Sequence, residues 1–241
     1  METLSLIQSI SQTTNAAGSA FYFDPATLAK GKELGLDGFR FYVLGRGSVL
    51  GDVDAAVITS AFAYFAPATI DKIWTSAKEK LAPAAAAEAY NQCCADLGLA
   101  KLADIEGIEA YNEAAEAVVA ATELAGFSLF AGWAAQPRSE EPAARAMQLV
   151  ALLRELRGDA HIVALRASGV SAPVAHAIKR PGDVATFGWD PAPTIAADDA
   201  AKCEAAEALT DQLLVPSYAG LSDAQAAALV FGTEAIGAAL A

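Results

Sequence analysis

The chain is short of the residues that build most recognisable reaction centres. Of 241 residues, two are histidine and three are cysteine. The histidines, His161 and His176, fall on separate short helical stretches, so a multi-histidine metal centre is not expected. Cys93 and Cys94 are adjacent and Cys203 is distant. An odd count without framework spacing points to reduced thiols and a cytoplasmic setting. No Gly-x-Ser-x-Gly elbow is present, and no histidine lies near Cys93-Cys94 to activate a thiol. Basic residues are scarce too: 16 Lys and Arg stand against 29 Asp and Glu, a net charge of −13. That balance repels phosphate backbones and argues against tight, non-specific nucleic-acid binding, although a locally basic reading head stays open. No run reaches the ~18–20 apolar residues of a membrane span, and the N-terminus lacks the basic and apolar regions of a secretory leader, so no membrane partner is expected.

What is abundant is alanine within a composition that is 54% hydrophobic. Alanine favours helix, and strand-type runs of Val, Ile, Thr and Tyr are few, so the expectation is a mainly α protein. The length suits one large or two small domains. The best internal linker is Gln136 to Pro142. It would divide an N-terminal half, residues 1–135, from a C-terminal half, residues 142–241.

The punctuation supports this reading. Leu4, Ile7 and Ile10 recur at helical spacing over residues 2–13. Asp24-Pro25 is a capped helix start, and Gly35 a stop. Asp37 opens a second short helix that ends at Gly45-Arg46-Gly47-Ser48. The GRGSVLG stretch resembles a phosphate-binding glycine loop, but no strand precedes it, and a turn between helices is the better reading. Residues 54–64 read as a buried helix and Pro67 begins the next. Residues 83–97 and 104–124 form long helices. Residues 126–133 are apolar and aromatic, more suited to core than to a pocket. Residues 196–214 and 222–240 form the last two helices.

Met147 to Pro181 holds both histidines and the densest basic cluster. Leu149, Leu152, Leu153, Leu156 and Val163 form one apolar stripe. Arg154, Arg157 and His161 share another face. Gly158-Asp159 is expected to break the helix, which would place His161 in the first turn of a new one. There the helix dipole would keep the imidazole neutral, and free N–H groups beside two arginines would suit an anion. His161 would then act as general base or as a hydrogen-bond partner for a ligand, with Asp159 capping the new helix and grouped with it as a catalytic candidate. The competing reading has both arginines simply paired with Glu155, Asp159 or acids of neighbouring helices, and His161 as a packed, hydrogen-bonded side chain.

Helices over 143–157, 159–168 and 171–180, with a turn at Gly169, give a helix-turn-helix order. A faint echo of this punctuation at Lys32 to Arg46 is compatible with two related halves, or with chance. Four stretches resemble a bacterial family of SalK-like proteins related to helix-turn-helix folds: FYFDP (Phe21 to Pro25), LGLDGFRFYVLGR (Leu34 to Arg46), AAVITSAFAYFAP (Ala55 to Pro67) and LLRELRGDAHIVAL (Leu152 to Leu165). The Arg157-Gly158-Asp159-x-His161 element is the most specific of them. The resemblance covers most of the chain and implies winged-helix-like elements, without naming an activity or a cofactor. Where a wing should follow, the chain instead carries Pro181, Pro191 and Pro193 and little strand propensity.

Two functions follow as expectations. In the first, the protein is a small-molecule binder or enzyme on this scaffold. Arg154, Arg157, Arg46 and Tyr22 would hold a polar or anionic ligand, and His161 and Asp159 would supply any catalysis. In the second, it is a ligand-responsive transcriptional regulator that uses His176, Lys179 and Arg180 of residues 171–180 on DNA. A homodimer is expected, since a regulator needs two reading heads about 34 Å apart.

Overall fold

Pro142 opens a helix of 26 residues that the rest of the chain surrounds. The computed structural model describes residues 2–241, and among these there are twelve α-helices, two short 3-10 turns and no strand. In order the helices are α1 (Thr3–Gly18), α2 (Pro25–Glu33), α3 (Gly38–Gly47), α4 (Ala55–Phe62), α5 (Pro67–Lys78), α6 (Pro83–Lys101), α7 (Ile108–Ala121), α8 (Ser128–Ala134), α9 (Pro142–Ala167), α10 (Ala172–Lys179), α11 (Asp199–Tyr218) and α12 (Asp223–Ala239).

Local chemistry sets many of the boundaries. Asp24 and Asp37 cap α2 and α3 by accepting from the Ala26 and Arg40 N–H groups. Ser222 and Gln225 form a reciprocal capping box on α12. Proline stands in the first turn of α2, α5, α6, α9 and α10, where its missing N–H has no intrahelical acceptor to lose.

Helix α9 packs against α1, α6, α7, α8 and α11. Its first half is buried nearly all round, from Ala143 to Leu153, as an apolar helix at the centre of a bundle must be. Two glycines bring neighbours close. A Cβ on Gly18 would sit 2.6 Å from the Val150 carbonyl, and one on Gly98 2.8 Å from Met147. The backbones of α1 and α6 therefore lie directly on α9.

The break expected at Gly158-Asp159 is absent, and α9 runs through it. A glycine inside a helix costs about 1 kcal/mol. Here Leu156 and Ala160, both fully buried, anchor the helix on either side and outweigh it. His161 is therefore not in a first helical turn.

The end of α9, the turn at Gly169 (φ +75°) and α10 pack with α11 as a second, smaller core of Ala164, Leu165, Val170, Ala172, Ala175 and Ala206. The chain after α10 makes no wing. It straps back over the start of α5: Phe187 stacks on Phe65 at 4.2 Å, and the Trp189 indole N–H donates to the Tyr64 carbonyl at 2.8 Å.

Candidate functional site

The middle of α9 carries charge into the core. Glu155 is 3% exposed and accepts two hydrogen bonds from Arg46 of α3, at 2.8 and 2.7 Å. The Tyr22 hydroxyl donates to the same carboxylate at 2.6 Å, and Arg154 donates at 3.1 Å. Phe62 lies under the Arg46 guanidinium at 4.6 Å, a cation–π contact in an apolar surround. Burial pushes the Glu155 carboxyl up, but Arg46 and Arg154 outweigh it and hold the group at about 2. Arg46, Tyr22 and Arg154 thus meet around one carboxylate, and Glu155 had been no candidate for the site.

Arg157 and His161 face α11. Arg157 donates to Glu207 at 2.8 Å, with Asp211 at 3.7 Å. His161 Nδ1 lies 2.9 Å from the Thr210 hydroxyl. That hydroxyl gives its own proton to the Ala206 carbonyl, so Nδ1 is the donor and Nε2 is left as an acceptor. Burial, with Arg157 and Lys179 working against Glu207, lowers the His161 pKa and keeps the ring neutral. The neutrality foreseen from a helix dipole is present, but its cause is desolvation.

Asp159 lies elsewhere. Two residues along a continuous helix turn a side chain about 200°, so Asp159 and His161 are not brought together. Asp159 is 6% exposed, and its Oδ2 accepts the Phe130 N–H in the first turn of α8 at 3.0 Å. It also lines a cleft of about 150 Å³ between α4, α8 and α9, which Ser60 and Ser128 share. The other walls are apolar and include Val57, Ala61, Ile162 and Val163. Burial and the nearby Glu155 carboxylate raise the Asp159 carboxyl to about 7, against the pull of the Phe130 N–H and Arg46.

Lys179 and Arg180 at the end of α10 are exposed, but each lies beside an acid. His176 packs on Phe187 at 4.1 Å and near Tyr64 at 6.0 Å. Lys179 pairs with Glu207 at 3.3 Å, and Arg180 lies 3.9 Å from Asp183. Beside this corner, Ala63 holds φ +38°, a conformation a residue with a Cβ rarely adopts. The next residue, Tyr64, packs near His176, and burial raises its phenol to about 12.

Sequence reasoning missed Ser60, Ser128, Glu207 and Thr210, and named Glu155 only as an ion-pair partner for the neighbouring arginines. For Glu155 a signal existed. With Asp159 it forms an i, i+4 pair of carboxylates running along the Leu152–Leu156 stripe, where solvated charge does not belong.

No helix among the described residues is long and apolar enough to cross a membrane. No curated protein and no solved structure matches the chain. A model of a helix-turn-helix family matches residues 7–189, and with most of its length covered the chain belongs to that family.

Proposed function

We propose that the chain is a cytoplasmic binding protein for a small polar molecule, seated in the Asp159 cleft, with the helix-turn-helix order as its scaffold. One observation carries the reading: a buried carboxyl raised to about 7 lines a cleft that two serines share. Capping α8 does not require it, since an asparagine accepts the same N–H at no charge cost. An ionisable group kept at an electrostatic loss in a concave site is a mark of function. It belongs to the Arg157-Gly158-Asp159-x-His161 element that resembles the SalK-like proteins. An anion at Arg154, Arg157 and His161 is the weaker form of the reading, because Glu155 and Glu207 already engage both guanidinium groups. The test is a thermal-shift screen of small polar compounds against the wild type and Asp159→Asn. Compounds that raise the wild-type melting temperature and leave the variant unmoved support it. A chemically varied library that stabilises neither protein defeats it.

Family membership favours a second reading, a dimeric DNA-binding regulator. Lys179 and Arg180 are its best contacts, with side chains 74% and 64% exposed. Fluorescence anisotropy with duplex DNA at low salt tests it. Binding that the double variant Lys179→Ala, Arg180→Ala weakens would favour DNA over the cleft. The covered His176 and the net charge of −13 weigh against that result.

A further inference from the structure

The cleft at Asp159 is selective by its chemistry, and its walls define what it selects. No Lys, Arg or His lines it. Its hydrogen-bonding groups are Ser60, Ser128 and the Asp159 carboxyl, and the walls between them are short and apolar. A volume of about 150 Å³ holds about five water-sized groups. A molecule of about four to seven heavy atoms fills that space.

Resting on the reading above, we propose that the ligand is a small primary ammonium, paired with the Asp159 carboxylate and bonded through a second polar group to Ser60 or Ser128. The pairing answers the one unbalanced feature of the site. Glu155 is matched by Arg46 and Arg154, and Glu207 by Arg157. Asp159, by contrast, has only the α8 backbone N–H groups of Phe130 and Leu129. A buried carboxylate without a cation is the costly form of that group, and a bound cation removes the cost. A neutral amide would supply donors but no charge, and an anion would be repelled by Asp159 and by Glu155 behind it. The acidic surface of the chain raises the local concentration of small cations as well.

Binding is then linked to a proton. The groups that act on Asp159 are Glu155 of α9, Arg46 of α3 and the two α8 N–H donors; of the α4 residues in the cleft, Val57, Ser60 and Ala61, none titrates. A free carboxyl near 7 must be ionised to pair. Affinity therefore falls about tenfold per pH unit below that value, while a primary amine of ordinary basicity stays protonated throughout.

Titration calorimetry with ethanolamine, acetamide and acetate tests this on the whole chain. The expected result is ethanolamine binding at pH 8 that weakens about fivefold between pH 7 and pH 6 and approaches about tenfold per unit below that. Asp159→Asn abolishes it, and acetate does not bind. Acetamide binding equal to ethanolamine, without pH dependence, overturns the ammonium assignment and leaves the cleft reading standing. Ethanolamine binding that survives in Asp159→Asn also overturns it. Failure of all three probes overturns the ammonium assignment, while the cleft reading falls only if the varied library also stabilises neither protein.

Discussion

Replacing Asp159 by asparagine should make the protein more stable, and the gain should depend on pH in a defined direction. The folded carboxyl is raised from 3.8 to about 7. Below pH 4 the group is protonated in folded and unfolded chains alike and contributes nothing. As pH rises from 4 to 7 the unfolded chain releases its proton and the folded one does not, so wild-type stability falls across that window. The shift of about three units corresponds to about 4 kcal/mol at ~1.4 kcal/mol per unit. The amide oxygen still accepts the Phe130 N–H, though less strongly than a carboxylate, which leaves a net gain of about 2–4 kcal/mol above pH 7. In a chain of this size that is a rise of about 5–15 °C in melting temperature. Paired melts by circular dichroism from pH 4 to pH 8 read it directly. The curves should coincide near pH 4 and diverge to a plateau near pH 8. A variant offset by the same amount at every pH, or less stable at pH 8 than the wild type, would refute the reasoning.

Three further outcomes follow from the same geometry. Glu155→Gln strands Arg46 and Arg154 in the core and should cost about 3–5 kcal/mol in chemical denaturation at pH 7. That cost should shrink as pH falls from 4.5 through about 2, where the wild-type carboxylate itself is protonated. Gly18→Ala places a Cβ 2.6 Å from the Val150 carbonyl and should destabilise by about 1–3 kcal/mol, read from the urea midpoint. Ala63→Gly relieves the positive φ and should hold or raise stability by up to ~1 kcal/mol; a clear loss would mean that the Ala63 methyl packing outweighs the strain.

The helical class and the helix starts at Asp24-Pro25 and Asp37 were legible in the sequence, because each is decided within a few residues. The course of α9 was not. Gly158-Asp159 carries a strong local stop signal, and only burial against five other helices overrides it. The site was half legible for the same reason. Of the four residues grouped as ligand-binding, Arg46, Tyr22 and Arg154 meet around Glu155 while Arg157 turns to Glu207, and the carboxylate that joins the three lies 109 residues from Arg46. Asp159 was singled out as a partner for His161. A continuous helix turns it to the opposite side, into a cleft built from α4 and α8 that no local pattern announces.

The central claim is that Asp159 is held near neutrality in a cleft made for a cation. The most direct measurement is a carbon-detected NMR titration of its carboxyl, without and with ethanolamine. An inflection at about 7 in the free protein, moving down by more than one unit when the amine is present, is the predicted result. An inflection near 4 that the amine leaves in place would contradict it.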